Sequence, residues 1–467
     1  MTGEAERNST PDEVESALAL ASAARVPLAR QSPVKRSVML HAAADALDDA
    51  ADRLIPIAMA ETHLTEQRLR GEIARTTYQL RRYADAAADR PAEIDLADPD
   101  AVPAPRPDLR RTTRPIGVVL NFAASNFPFA FSVAGTDTAS ALAAGCPVIV
   151  KAHSGHPRLS RATFEVLDGA LRAGRAPEGT VGLVFGREAG IAVLRDDRVS
   201  AAAFTGSTAG GRALFDIANA RPRPIPFYGE LGSLNPVVVA PVAAGARGES
   251  ILAGFTASVT GSSGQLCTKP GVMFWPAEVP FADRLGALLA ATDVHPLLTP
   301  GLEDGFRRSV TAVLGAGADL VHGDPAGSEI VAGAMRTTAA AVADSPSALL
   351  EECFGPSAVV VTYEDEDDLL AALRVMEGNL TAGVFADPAD LDLARTVLPL
   401  LEDNAGRILW EQWPTGVSVT RAQHHGGPYP ATTNPLHTSV GTHAIDRFQR
   451  PIAYQNMPEE LLPVQLR

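Results

Sequence analysis

Apolar positions recur at helical spacing through residues 1–90: Val34, Val38, Met39, Ala42 and Leu47 form one series, and Leu54, Ile55 and Ile57 a second. Pro11-Asp12-Glu13 reads as a helix start, with Thr10 as N-cap and Glu13 three residues on to close a capping box. From Leu64 to Arg90 charges alternate with Ala, Leu and Tyr. The row Arg68, Arg70, Glu72, Arg75, Arg81 and Arg82 there reads as a solvated helix face. Residues 91–113 break the pattern with five prolines. Glu93–Leu96 and Leu109–Thr112 remain as short polar runs that suit edge strands of an arm.

From Arg114 the pattern changes to apolar strands alternating with helices. Strands are predicted over Ile116–Phe122, Pro147–Lys151, Gly182–Phe185 and Ala201–Phe204. Helices are predicted over Ser132–Ala144, Pro157–Ala173, Ala189–Arg195 and Gly211–Ala220. Such alternation specifies a parallel sheet covered by helices on both faces. A second α/β unit follows. Its strands are Val237–Ala240, Ala358–Thr362 and Ala382–Phe385. Its helices are Gly248–Gly261, Ala282–Thr292, Leu302–Gly315, Glu366–Glu377 and Pro388–Leu400. Residues 421–441 form a loop rich in Gly, Pro and His.

Composition removes several classes. The 467 residues exceed one ordinary domain, and 55 acidic against 40 basic residues give a net charge of −15. That sign opposes nucleic-acid backbones, and 5% aromatic residues supply few stacking platforms. The uncharged stretch Pro115–Gly135 carries Asn121, Ser125, Asn126 and Pro128, and reads as a buried strand and loop, not a membrane span. The acidic N-terminal residues, with no basic segment before an apolar one, do not read as a signal peptide. Three scattered cysteines make neither a disulfide framework nor a zinc site and fit a reducing, cytoplasmic compartment.

Cys267 lies among small residues ahead of the turn Pro270-Gly271, as a placed nucleophile would, although a lone thiol is more often structural. Cys146 and Cys353 read as structural thiols. Glu230, in Pro226-Phe-Tyr-Gly-Glu-Leu-Gly, is a carboxylate among apolar residues. Desolvation would raise its pKa and suit it to general-base work, although taken alone it is more often a surface or salt-bridged Glu at a strand start. Asn126 could donate to an oxyanion or serve a turn. Gly206-Ser-Thr-Ala-Gly-Gly211 is a small-residue turn opening a helix, where a phosphate can approach backbone N–H groups. Lys151 ends a strand at the edge where open α/β sheets bind ligands. His153, His156, His424 and His425 lack a third ligand at metal spacing, so no metal is expected.

Taken in order, Arg114-Pro-Ile-Gly-Val-Val, Ser125-Asn-Phe-Pro128, Gly145-Cys-Pro-Val-Ile-Val-Lys151, Phe204-Thr-Gly-Ser207, Glu230-Leu-Gly232, Gly264-Gln-Leu-Cys267 and Glu351-Glu-Cys-Phe-Gly-Pro356 resemble the NAD(P)-dependent aldehyde dehydrogenase superfamily. The stretches Pro226–Pro236, Cys267–Gly271, His295–Pro300, His425–Ala431 and Arg450–Gln455 are similar to the branch containing α-ketoglutaric semialdehyde dehydrogenases. Bacterial fatty-aldehyde dehydrogenases share Lys151-Ala-His-Ser154.

The resemblance implies an α/β fold with a Rossmann-type cofactor domain, an α/β catalytic domain and a β oligomerisation arm. The corresponding spans are 1–91 with 114–229, then 230–443, and 92–113 with 444–467. It implies Cys267, Glu230, Asn126 and Lys151 as the catalytic set: nucleophile, hydrolytic base, oxyanion donor and a lysine that also binds the cofactor ribose or its 2′-phosphate. Ser154, Gly206, Ser207, Glu352 and Phe354 would complete the cofactor site. Ser154 stands where NAD-preferring members often carry Glu, which favours NADP, with NAD possible.

Ser125 and Ser233 depart from the common pattern but fit the branch. Glu411 and Arg421 fall in a region that borders the substrate entrance in that branch, and Arg421 is the candidate for a substrate carboxylate. The implied reaction is aldehyde oxidation, foremost of α-ketoglutaric semialdehyde to 2-oxoglutarate. A fatty or broad-range aldehyde dehydrogenase is the rival within the class, and a Cys-dependent esterase or a silent binding homologue the rivals outside it. A homodimer or homotetramer would cover the arm's edges.

Overall fold

The computed structural model describes residues 7–89 and 92–467. Glu4 and Glu6 of the N-terminal reading, and Arg90 and Pro91 at the end of the helix and arm readings, lie outside them. Four helices come first: α1 (Pro11–Ala29), α2 (Pro33–Asp49), α3 (Ala51–Thr62) and α4 (Glu66–Ala88). The capping box of α1 is formed as expected. Thr10 Oγ1 accepts from Glu13 N, and Glu13 accepts from Thr10 N. In α2 the helix is as read but its inner face is not: Met39, Leu40, Ala43, Ala44 and Leu47 are buried, while Val34 and Val38 point to solvent.

Strands β1 (Glu93–Asp95) and β2 (Leu109–Pro115) leave the body as an arm. The chain then builds a five-stranded parallel sheet from β3 (Val118–Phe122), β4 (Val148–Lys151), β5 (Val181–Val184), β6 (Val199–Thr205) and β7 (Phe227–Glu230). Its order is β5-β4-β3-β6-β7. The progression reverses between β3 and β6, where Phe122 pairs with Phe204, and a crevice opens at the carboxyl ends of such strands. The uncharged stretch 115–135 is β3 and the buried loop after it, and among the described residues no helix is long and apolar enough to cross a membrane.

A second sheet holds β8 (Val237–Val239), β9 (Val272–Pro276), β10 (Asp319–His322), β11 (Gly333–Thr338), β12 (Ser357–Tyr363), β13 (Ala382–Phe385) and β14 (Ile408–Trp410). Its order is β10-β11-β12-β9-β8-β13-β14, parallel except for β10 against β11. β9, β10, β11 and β14 are absent from the sequence reading. The final strand β15 (Gln449–Gln455) pairs with β2, giving the arm the order β1-β2-β15.

The unit boundaries differ from the sequence reading. Glu230 closes the first sheet, not the second unit. Val419, Val440, Ala444, Ile445 and Phe448 pack into the core of the first unit, so the chain returns there before entering the arm.

Candidate active site

The crevice at the β3/β6 reversal faces the loop that carries Cys267. Helix α4 and the loop Ala123–Gly135 form one wall, held by Glu72. This buried carboxylate accepts from Phe129 N at 2.8 Å, Ala130 N at 3.0 Å and Arg68 at 2.7 Å. The row of charges on α4 is therefore not a simple solvated face. Glu72 is enclosed, and Arg68 and Arg75 are half-buried.

Cys267 follows a tight turn in which Ser262, Ser263 and Gly264 have positive φ. A Cβ on Gly264 would lie 2.0 Å from the Gly355 carbonyl oxygen, so only glycine admits this approach. The Cys267 carbonyl accepts from Asn235 Nδ2 at 2.9 Å, and the same amide holds the Lys269 carbonyl at 2.8 Å. Lys269 is fully enclosed and donates to the carbonyls of Cys353 and Ser357. It thereby ties the nucleophile loop to the Glu352 loop. Cys146 and Cys353 are buried and unpaired, as their apolar contexts suggested.

Glu230 and Cys267 meet, and His425 joins them. The Nε2–H of His425 donates to Glu230 Oε1 at 3.0 Å and lies 3.5 Å from Cys267 Sγ. Ser439 Oγ donates to the other Glu230 oxygen at 2.7 Å, and the Cys267 sulfur lies within 4.8 Å of that carboxylate. The His425 ring is held by its backbone: its N–H donates to Thr438 Oγ1, and its carbonyl accepts from Ser439 N, each at 2.8 Å.

Burial alone would push Glu230 up, as the sequence reading expected. The charge and hydrogen bond of His425, then Ser439 and Cys267, bring it below the usual carboxylate range instead. The expectation fails because His425 is 195 residues away in sequence. The Cys267 thiol is held well above its usual range by burial and by the Glu230 charge, with Arg75 opposing. The ligand atoms of Glu230, Cys267 and His425 lie within 4.8 Å of one another; they are already engaged with each other as nucleophile and partners. The cue to His425 was its place in His425-Gly-Gly-Pro, a stretch weighed only as a metal site and a branch signature.

Asn126 is buried on the loop after β3, and its Nδ2 donates to the Gln265 carbonyl at 3.0 Å. That uses one of its two amide hydrogens and leaves the other for an oxyanion. The Cys267 N–H has no partner among the described residues.

On the cofactor side, Lys151 ends β4 beside Phe122 and Gly190. Burial lowers its pKa, with no carboxylate partner among the described residues. No hydrogen bond or ion pair joins it to Glu230, Cys267 or His425 among the described residues. Ser154 is exposed three residues on. Ser207 caps the helix Thr208–Asn219, its Oγ accepting from Gly210 N at 3.3 Å. Side chains on Gly206 or Gly211 would strike Phe204 and Leu231, so the turn is kept open for close backbone approach. Glu352 is held up to about 7 by burial, against the pull of Lys269 and the Ser233 N–H. Phe354 is half-buried beside it.

Arg421, the candidate for a substrate carboxylate, and Glu411 make no hydrogen bond or ion pair with Glu230, Cys267 or His425 among the described residues. Arg421 is exposed and lines a basin under the arm with Arg82, Arg111 and Glu93. Glu411 is consumed by Arg247 at 2.6 Å and by the Ala386 N–H.

A parallel sheet with a ligand crevice, facing a half-buried thiol, a buried carboxylate and a buried amide, holds the parts that acyl-cysteine chemistry uses. The chain belongs to the aldehyde dehydrogenase family, whose pattern matches residues 4–428, and it is an oxidoreductase acting on aldehydes. It is 44% identical to alpha-ketoglutaric semialdehyde dehydrogenase 2 of Azospirillum brasilense, over 97% of this chain and 88% of that one. It is 38% identical to alpha-ketoglutaric semialdehyde dehydrogenase of Acinetobacter baylyi, over 99% and 90%. Among solved structures, aldehyde dehydrogenase 21 from Physcomitrella patens superposes with a TM-score of 0.80 at 20% identity, over 97% of this chain and 92% of that one. Bradyrhizobium japonicum proline utilization A gives 0.80 at 24%, over 96% of this chain and 46% of that longer chain. At these identities the structural matches establish the fold.

Proposed function

We propose that the chain oxidises α-ketoglutaric semialdehyde to 2-oxoglutarate, with NADP preferred over NAD. The observation that carries the chemistry is the cluster of Cys267, Glu230 and His425, their reactive atoms within 4.8 Å of one another, with both Glu230 oxygens fixed by His425 and Ser439. The substrate rests on the two relatives of that name.

Glu230 takes the thiol proton as Cys267 Sγ bonds to the aldehyde carbon. Asn126 Nδ2 and the Cys267 N–H hold the resulting oxyanion; losing one such donor costs ~2.7–4 kcal/mol in the barrier. NAD(P), when bound against Lys151, Ser207 and Glu352, supplies the hydride acceptor. Glu230 passes the thiol proton to solvent and, ionised again, deprotonates a water that attacks the thioester carbonyl; the C–S bond breaks, the acid leaves, and the Cys267 thiolate takes a proton back from Glu230. His425 and Ser439 fix both carboxylate oxygens and so act as positioning residues. The ribose 2′-phosphate would meet Lys151 and Ser154, with no carboxylate at residue 154 to repel it. The three unpaired thiols support a cytoplasmic setting.

Absorbance at 340 nm with the semialdehyde and either nucleotide tests the reading. Rapid NADPH formation by the wild type is expected, with a loss of at least about 10³-fold in Cys267→Ala. Turnover of long alkanals alone would overturn the substrate, and a higher kcat/KM with NAD would overturn the cofactor preference.

A further inference from the structure

Arg68, Arg75 and Arg82 are spaced seven residues apart on α4, two helical turns each, and so share a face. Each leaves a buried guanidinium nitrogen without a partner: NH2 of Arg68, NH2 of Arg75 and Nε of Arg82. Their charges are not equally committed. Arg68 is neutralised by Glu72 at 2.7 Å and reaches Ser262 Oγ, on the nucleophile loop, at 3.3 Å. Arg82 lines the basin under the arm. Arg75 donates through Nε to the neutral amide of Gln79 at 3.1 Å and has no carboxylate partner among the described residues.

Aromatic rings connect Arg75 to the nucleophile. Its guanidinium carbon lies 5.8 Å from the Phe131 ring centre, and Phe131 lies 6.4 Å from the His425 ring, which touches Cys267. Phe127 packs 5.3 Å from Phe131 and carries Arg68 at 4.5 Å. The wall beside Cys267 is thus apolar with two guanidinium groups on it. Arg407 is also partly enclosed, but its terminal nitrogens are spent on the Gly416 and Pro414 carbonyls. A half-buried cation with a neutral partner is costly until an anion completes it.

We propose that Arg75, with Arg68 as second donor, seats the carboxylate that an ω-oxo acid substrate carries at the end remote from its aldehyde. This rests on the semialdehyde reading above and replaces Arg421 in that role. A planar guanidinium offering free N–H groups suits a carboxylate, and the flanking rings suit the methylenes between the two ends.

The test compares α-ketoglutaric semialdehyde with pentanal, uncharged and of equal carbon number, on the wild type, Arg75→Met, Arg75→Lys and Arg68→Met. Arg75→Met should raise KM for the semialdehyde by ~10–100-fold and lower the semialdehyde-to-pentanal ratio of kcat/KM by at least about tenfold, a change in the Cys267 thiol common to both aldehydes cancelling in the ratio. Arg75→Lys should recover part of the loss, and Arg68→Met should have a smaller effect. A preference for the semialdehyde that survives Arg75→Met, or an equal loss on both aldehydes, overturns the seat alone. A wild type that oxidises both equally well removes the substrate reading and the seat with it.

Alkylation of Cys267 gives a readout that needs no turnover. Iodoacetate should react faster relative to iodoacetamide in the wild type, and the ratio should fall about tenfold in Arg75→Met or, if that variant does not fold, more modestly in Arg75→Lys. An unchanged ratio overturns the proposal even if the wild type oxidises neither aldehyde.

Discussion

Glu352 shows how a single enclosed carboxyl can set a pH dependence. Held at about 7, it is protonated at pH values where an ordinary glutamate is ionised. On the proposed reading that Glu352 holds the nicotinamide ribose, only its carboxylate form accepts from both ribose hydroxyls. Nucleotide affinity is therefore expected to be level above about 7 and to fall with decreasing pH below it, approaching tenfold per unit. Titrating NADP by fluorescence from pH 5.5 to pH 8.5 checks this; Glu352→Gln should bind more weakly and lose the slope. Glu230 has the opposite shift, below the usual carboxylate range, so it is ionised throughout that interval. His425→Ala should cut kcat more than it raises KM, because the histidine orients the base without being needed to bind substrate.

At the scale of elements, α4 carries more than its periodicity announces. Glu72→Ala would leave the Phe129 and Ala130 N–H groups and Arg68 without their acceptor inside the fold. A loss of about 3–5 kcal/mol is expected, measurable by denaturant unfolding, whereas Glu66→Ala on the exposed side should cost under about 1 kcal/mol. In sequence the two glutamates look alike. A helical pattern assigns faces from apolar residues, and it cannot register a carboxylate turned inward to cap a loop 57 residues downstream. Four strands of the first sheet, β3 to β6, were legible because each is an apolar run followed by a helix signal; β7, Phe-Tyr-Gly-Glu with no helix after it, was not. The central β9 was not, because Val272–Pro276 follows the nucleophile turn with no helix between them. The motifs singled out Cys267, Glu230 and Asn126, and the fold brings the first two together and ties the third to the Cys267 loop. Their partners His425, Ser439 and Asn235 act across long sequence separations, which no local pattern encodes.

On the scale of the whole molecule, the arm leaves β1 and β15 as open edges, with Leu96 and Val102 at 62% and 93% exposure. Such edges favour pairing with another copy. Sedimentation at micromolar concentration should give a multiple of 48.8 kDa, and charged substitutions at Leu96 and Val102 should shift it toward the monomer. The return of residues 417–448 to the first unit's core has a different consequence. Glu230 ends one sheet, Cys267 precedes a strand of the other, and His425 comes back from beyond both. Neither unit can then be inherited as a cassette. A chimaera with a related enzyme, spliced at residues 232 and 411, would join a foreign nucleophile loop to a native base and histidine. It is expected to be inactive unless the facing surfaces are exchanged with it.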